Sequence, residues 1–155
     1  MISRDELWKL NFILSNNDTF CCCFIVVDNY EEIVKIKDRI DAKFTIVDNC
    51  KEISDLIIVK DRVMMGEKII LTNLDSLYEI CAKKDTYYQD GIYQFYQRFT
   101  EVYRDRLWLN RKGQLHFVLT EEQYEQFYTR GNHFKTMLTT TLDFTKKKVL
   151  SKSFT

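Results

Sequence analysis

Apolar positions along this chain fall into runs of two different periods. Residues 20–27, FCCCFIVV, are continuously apolar and rich in β-formers, which predicts a strand covered on both faces, as in a parallel sheet. Upstream, Ser3 and Glu6 have the spacing of a capping box, and Leu7, Leu10, Phe12 and Leu14 follow as a short amphipathic helix ending near residues 15–18. Downstream, Asp28 or Asn29 is expected to cap a helix over residues 30–42. That helix carries Tyr30, Ile33, Val34 and Ile40 on one side against Glu31, Glu32, Lys35 and Arg39.

The alternation continues to the end of the chain. Residues 44–47 predict a second strand. Ile53, Leu56, Ile57, Val63 and Met64 have helical spacing closed by Gly66. Residues 68–75, KIILTNLD, predict a third strand, with Asp75 as the N-cap of a helix beginning at Ser76 and Asp48 in the same role after the second strand. Ile92, Phe95, Phe99, Val102, Tyr103 and Leu107, with Leu109 at the margin, form a stripe that predicts a helix over 91–111, stopped by Gly113. QLHFVLT is a fourth strand, EEQYEQFYTR a helix with Tyr124, Phe127 and Tyr128 on one face, and residues 136–144 a fifth strand. Such alternation predicts right-handed crossovers and an α/β fold: a mostly parallel sheet of about five strands with helices on both faces, P-loop-like or Rossmann-like. Residues 1–145 are expected to form one domain, and 146–155, with Lys146, Lys147, Lys148 and Lys152, a solvated flexible tail.

Composition narrows the classes. A chain of 155 residues with 45% hydrophobic content is long enough for its own core. Its aromatic share of 14% is high and must serve a core first and an interface second. Lys plus Arg equals Asp plus Glu at 23 each, so no overall field steers nucleic acid, and nucleic-acid binding is not expected. No apolar run approaches the roughly 20 residues of a membrane helix, and the charged N-terminus differs from a signal peptide. A cytoplasmic protein is the expectation.

The five cysteines do not suggest a metal site. Cys21, Cys22 and Cys23 are consecutive, so in a strand they leave opposite faces and cannot converge. Cys50 and Cys81 lack CxxC partners, and neither His116 nor His133 has finger spacing to a cysteine. Buried free thiols are expected, with no cofactor. His116 sits inside the apolar run LHFVL and reads as a core histidine; His133 has no nucleophile signature beside it. Cys23, near a helix start, would be a redox candidate only if a strand did not bury it.

The junction after residue 27 carries the main exclusion. A phosphate loop needs glycines, so that backbone N–H groups can approach the phosphates, and a lysine to reach the terminal one. Asp28, Asn29, Tyr30, Glu31 and Glu32 supply three acids and neither of those residues. Carboxylates complement a helix N-terminus and repel a triphosphate. No enzyme is expected. The stretch 86–111 is instead rich in the residue types of interfaces, Tyr87 and Tyr88 among them. Tyr93, Tyr96, Arg104 and Trp108 lie off the apolar stripe and are expected to face a protein partner or a second copy.

Three pieces, IILTNLDSL, FYQRFTEVYRDRLWLNRKGQLHFVLTEEQYEQF and NHFKTMLTTTLDF, span residues 69–144. In them the chain resembles the P-loop-like ATPase domains of bacterial signalling and conflict-system proteins, which commonly accompany helical repeats. The resemblance sets Asp75 where such an enzyme holds magnesium and Thr120 at the sensor position, as residual nucleotide-site residues. It also aligns Asn132, His133, Phe134, Asp143 and Phe144 with the closing segment. The chain departs from the pattern at Asn132-His133, which replaces Pro-Asp, at Lys135, which replaces a tryptophan, and at the missing loop. What it implies is a degenerate P-loop-like module standing by itself, used for assembly or regulation in bacterial signalling or defence. A nucleotide-binding or slow NTPase subunit using a partner's loop is the alternative, and a nucleic-acid accessory protein comes third.

Overall fold

The computed structural model describes residues 2–130 and 133–146, apart from the side chains of residues 130 and 133. Arg4–Leu14 (α1) precedes the first strand, Cys23–Val27 (β1). Then come Glu32–Lys37 (α2), Thr45–Val47 (β2), Ile53–Met64 (α3), Lys68–Leu71 (β3), Asp75–Lys84 (α4) and Gly91–Asn110 (α5). Gln114–Thr120 (β4), Glu121–Arg130 (α6), a 3₁₀ turn at His133–Thr136 and Thr140–Asp143 (β5) complete the order. All strand pairs are parallel, in the order β2-β3-β4-β1-β5.

Strand composition explains the order. Every residue of β1 is buried, as are all but the last of β4 and all but the first of β3, so these three take the inner positions, where both faces are covered. Along β1, Phe24 and Val26 enter one core while Ile25 and Val27 enter the other, the period-two alternation of a strand. Leu7, Leu10 and Leu14 of α1 and Ile33 and Ile36 of α2 cover the second face. Helices α3 to α6 cover the first, where Phe24, Tyr96, Phe99, Phe117, Phe127 and Phe134 form an aromatic centre. The chain leaves β1 toward β2 in one direction and leaves β4 toward β5 in the other. Right-handed crossovers of opposite direction fall on opposite faces, which is the observed division of the helices.

Several local expectations give way to tertiary demands. The helix expected over 30–42 is only six residues long, because i+3 bonds from Arg39 and Ile40 tighten its end and turn the chain into β2. Ile36 is buried in place of Val34, which is exposed. β3 ends at Leu71 rather than at residue 75: Asn73, at a left-handed φ of 58°, turns the backbone. Asp75 is therefore the first residue of α4, not its cap. Asp48 is not a cap either; Glu52 and Asp55 form the capping box of α3. Phe12, Ile57, Tyr128, Val102 and Leu109, each assigned to an apolar face, are exposed.

The long helix is present as expected, ending in a left-handed Arg111. Gly113 follows at φ 69°, and a Cβ there would lie 2.1 Å from the Val63 carbonyl oxygen. That backbone approach needs glycine, which fixes the entry into β4. Tyr96, expected on the surface, is fully buried, and its hydroxyl meets that of Tyr78 at 2.5 Å. Of the tail, Lys146 is described, its N–H donating to Asp28 Oδ2 at 3.2 Å; residues 147–155, expected as a flexible tail, lie outside the described residues. Among the described residues no helix is long and apolar enough to cross a membrane.

Candidate functional site

In an open parallel sheet, ligands bind beyond the C-terminal strand ends, where neighbouring strands send their connections in opposite directions. Here that place lies between β1 and β4. Asn29 Oδ1 accepts the Glu31 N–H at 3.1 Å, and the N–H groups of Glu32, Ile33 and Val34 donate to the carbonyls of Asn29, Tyr30 and Glu31. These four donors are the ones a phosphate would use at a helix start. All of them are already engaged.

Tyr30 spans the switch point. Its hydroxyl donates to Asp75 Oδ1 at 3.0 Å, across the end of β4, which lies between β1 and β3, the strands that the two residues follow. Gln123 completes the bridge: its Nε2 donates to Tyr30 Oη at 2.6 Å and to Asp75 Oδ1 at 2.9 Å. Its Oε1 accepts the Thr120 N–H at 3.0 Å, and its own N–H reaches Thr120 Oγ1 at 3.4 Å. This reciprocal pair is the capping box of α6. Burial, ahead of the neighbouring Asp75 carboxylate, pushes the Tyr30 phenol well above its usual range, against the opposing Gln123 hydrogen bond. Tyr30 therefore stays a donor at any ordinary pH.

The structure thus brings Asp75 and Thr120 together through Gln123, a residue that the sequence reading passed over. The Thr120-Glu121-Glu122-Gln123 spacing was the available signal. Two grooves flank the bridge. One, of about 650 Å³, has Asp75, Glu79, Asp90 and Glu122 in its walls; the other, of about 690 Å³, has Glu31 and Asp48. Both present carboxylates where a triphosphate would carry its own negative charge.

The remaining candidates are placed apart from this site. Tyr93 is half-buried, with its N–H capped by Asp90. Arg104 and Trp108 border a shallow surface groove beside Thr136 and the 3₁₀ turn, with Arg104 Nε 3.3 Å from Asp105 Oδ1. Trp108 also sets an edge against Phe20. One helix face thus carries all three, but Tyr93 and Arg104 are separated by about 16 Å of helix. Tyr96 lies beneath that face, in the core. Cys23 is buried, and burial pushes its thiol up to about 12, so no thiolate is on offer. The His133 side chain lies outside the described residues. Among those that are described, no three His, Cys, Asp or Glu side chains are grouped to hold a metal.

Comparisons with protein-family models, with curated proteins and with solved structures find no match to this chain.

Proposed function

We propose that this chain is a protein-interaction or regulatory module: a degenerate P-loop-like domain, working without catalysis in a bacterial signalling or defence assembly. The observation that carries the reading is the Tyr30–Gln123–Asp75 bridge across the switch point. Side chains of the protein itself occupy the place where a relative would seat phosphates, and the helix-start N–H groups are spent internally. The position of Asp75 and Thr120 at one bridge favours the second reading, a nucleotide-binding subunit completed by a partner's loop.

An exposed apolar face supports the interaction reading. Val102 and Ile53 border a pocket of about 210 Å³ floored by Phe95, Phe99 and Leu56, and Ile57 stands one turn along α3, also exposed. Apolar surface of this kind, with Arg98 at the rim, has the makeup of an interface.

Two measurements made together test the proposal. Thermal-shift titration with ATP and magnesium should leave the midpoint unmoved in the wild type, and sedimentation should show association that Val102→Glu weakens without unfolding the chain. Micromolar ATP affinity, abolished by Asp75→Ala, would replace this reading with the second. A strictly monomeric protein with no bound partner and no nucleotide affinity would leave the interaction reading without support.

A further inference from the structure

The groove between α2 and β2 combines three features. Glu31 and Asp48 stand in its walls, both exposed, and neither forms an ion pair with a cation among the described residues. Ile33, Val34 and Ile46 give it an apolar side. Thr72, one residue past the end of β3, also lines it. This residue is 3% exposed, and its Oγ1 has no hydrogen-bond partner. Since Ile70 enters the α2-side core and Leu71 the opposite one, strand alternation sends Thr72 to the side of the groove. A buried hydroxyl left unpaired is costly, and a donor brought by a ligand would relieve it.

We propose that this groove binds an alkylammonium group, the chemistry shared by a lysine side chain and a free polyamine. The methylene stem lies along Ile33, Val34 and Ile46, as lysine stems lie on apolar surface with the charge held clear. The ammonium donates to Glu31, Asp48 and Thr72 Oγ1, three acceptors matched to its three N–H groups. At six residues, α2 has a short dipole to oppose a cation. The crevice has in this way exchanged the polarity of a nucleotide site for its opposite. The inference goes beyond the interaction reading, since it rests on the charge and the unpaired hydroxyl of this groove and not on any partner.

Spermidine is the probe, titrated in a thermal-shift or calorimetric measurement at constant ionic strength, with sodium chloride and butanol as controls. The expected result is a midpoint rise of roughly 3–6 °C with spermidine about tenfold above its dissociation constant, and none with either control. Glu31→Gln with Asp48→Asn, both at exposed positions, should abolish the rise while leaving the fold intact. Thr72→Val should raise the midpoint without ligand and weaken spermidine binding several-fold. Removing residues 147–155 distinguishes the sources: tighter spermidine binding means that the chain's own lysines compete for the groove, and unchanged binding means that the site awaits an external amine. No rise, a rise equal to that with salt, or a rise undiminished in the double variant would overturn the proposal. The ATP titration reads a different ligand, so either result can fail without the other.

Discussion

Nδ1 of His116 accepts the Cys23 N–H at 3.0 Å, and Nε2 meets Gln114 Oε1 at 2.8 Å. The first contact makes Nδ1 the bare nitrogen, so Nε2 carries the proton and donates. Gln114 then donates through Nε2 to the carbonyls of Ile13 and Asn16 at 2.7 and 2.9 Å, tying the end of α1 to β4. Burial, ahead of the nearby Lys68 charge, lowers the His116 pKa from 6.5 to about 3. The folded state holds the neutral ring, while the unfolded chain takes up a proton below 6.5. Stability is therefore full above that pH and is lost as pH falls from 6.5 toward 3. Between pH 7 and 5 the loss should be about 2 kcal/mol, a window in which most carboxylates stay charged. Urea midpoints across this range should show the slope, and His116→Leu should flatten it while costing about 1–3 kcal/mol at pH 7 for the orphaned N–H. That His116 is a core residue was legible from Leu115 and Phe117 beside it. Its partner was not recognised, although Gln114 stands two residues away, on the same strand face.

At the scale of elements, α5 shows how residue type can override period. Tyr96 stands four residues after Ile92 and three before Phe99, at the centre of the buried stripe, yet its ring suggested a surface role. Val102 lies three residues past Phe99, at the edge of the same stripe, and is exposed. Counting 100° per residue rather than weighing chemistry would have exchanged the two. A second lesson sits at the start of the helix. An alanine at Gly91 would place its Cβ 1.8 Å from the Tyr78 carbonyl oxygen, where α4 and α5 touch backbone to backbone. Helix propensity alone favours Gly91→Ala by up to about 1 kcal/mol. Overpacking against backbone should reverse the sign, for a net loss of about 1–3 kcal/mol. Chemical denaturation with an unchanged m-value would record it; a stabilised variant would mean that the two helices can separate at no cost.

At the scale of the whole molecule, alternation of strand and helix made the parallel sheet readable. The order of its strands was readable in principle too. The apolar runs at 20–27, 69–71 and 114–120 became the inner strands, while β2, half-buried over two of its three residues, and β5, which starts exposed, became the edges. The candidate site was legible only as isolated strand-end residues. Asp75 and Thr120 stand at predicted ends, but the bridge through Tyr30 and Gln123 depends on β4 lying between β1 and β3, which no local pattern encodes. That same interleaving governs how the chain can be made. Both neighbours of β1 come from the last third of the sequence, so on a ribosome the first strand emerges long before anything can pair with it. Its five wholly buried residues must wait, and Ile13 and Asn16 wait as well for Gln114. Non-local pairing of this kind folds slowly and exposes apolar chain while it waits. A fragment ending at residue 112 should accordingly show no cooperative unfolding transition by circular dichroism and should be cleaved rapidly by protease. Nascent chains of this protein would then acquire their sheet in one late step, once residues 114–143 have emerged.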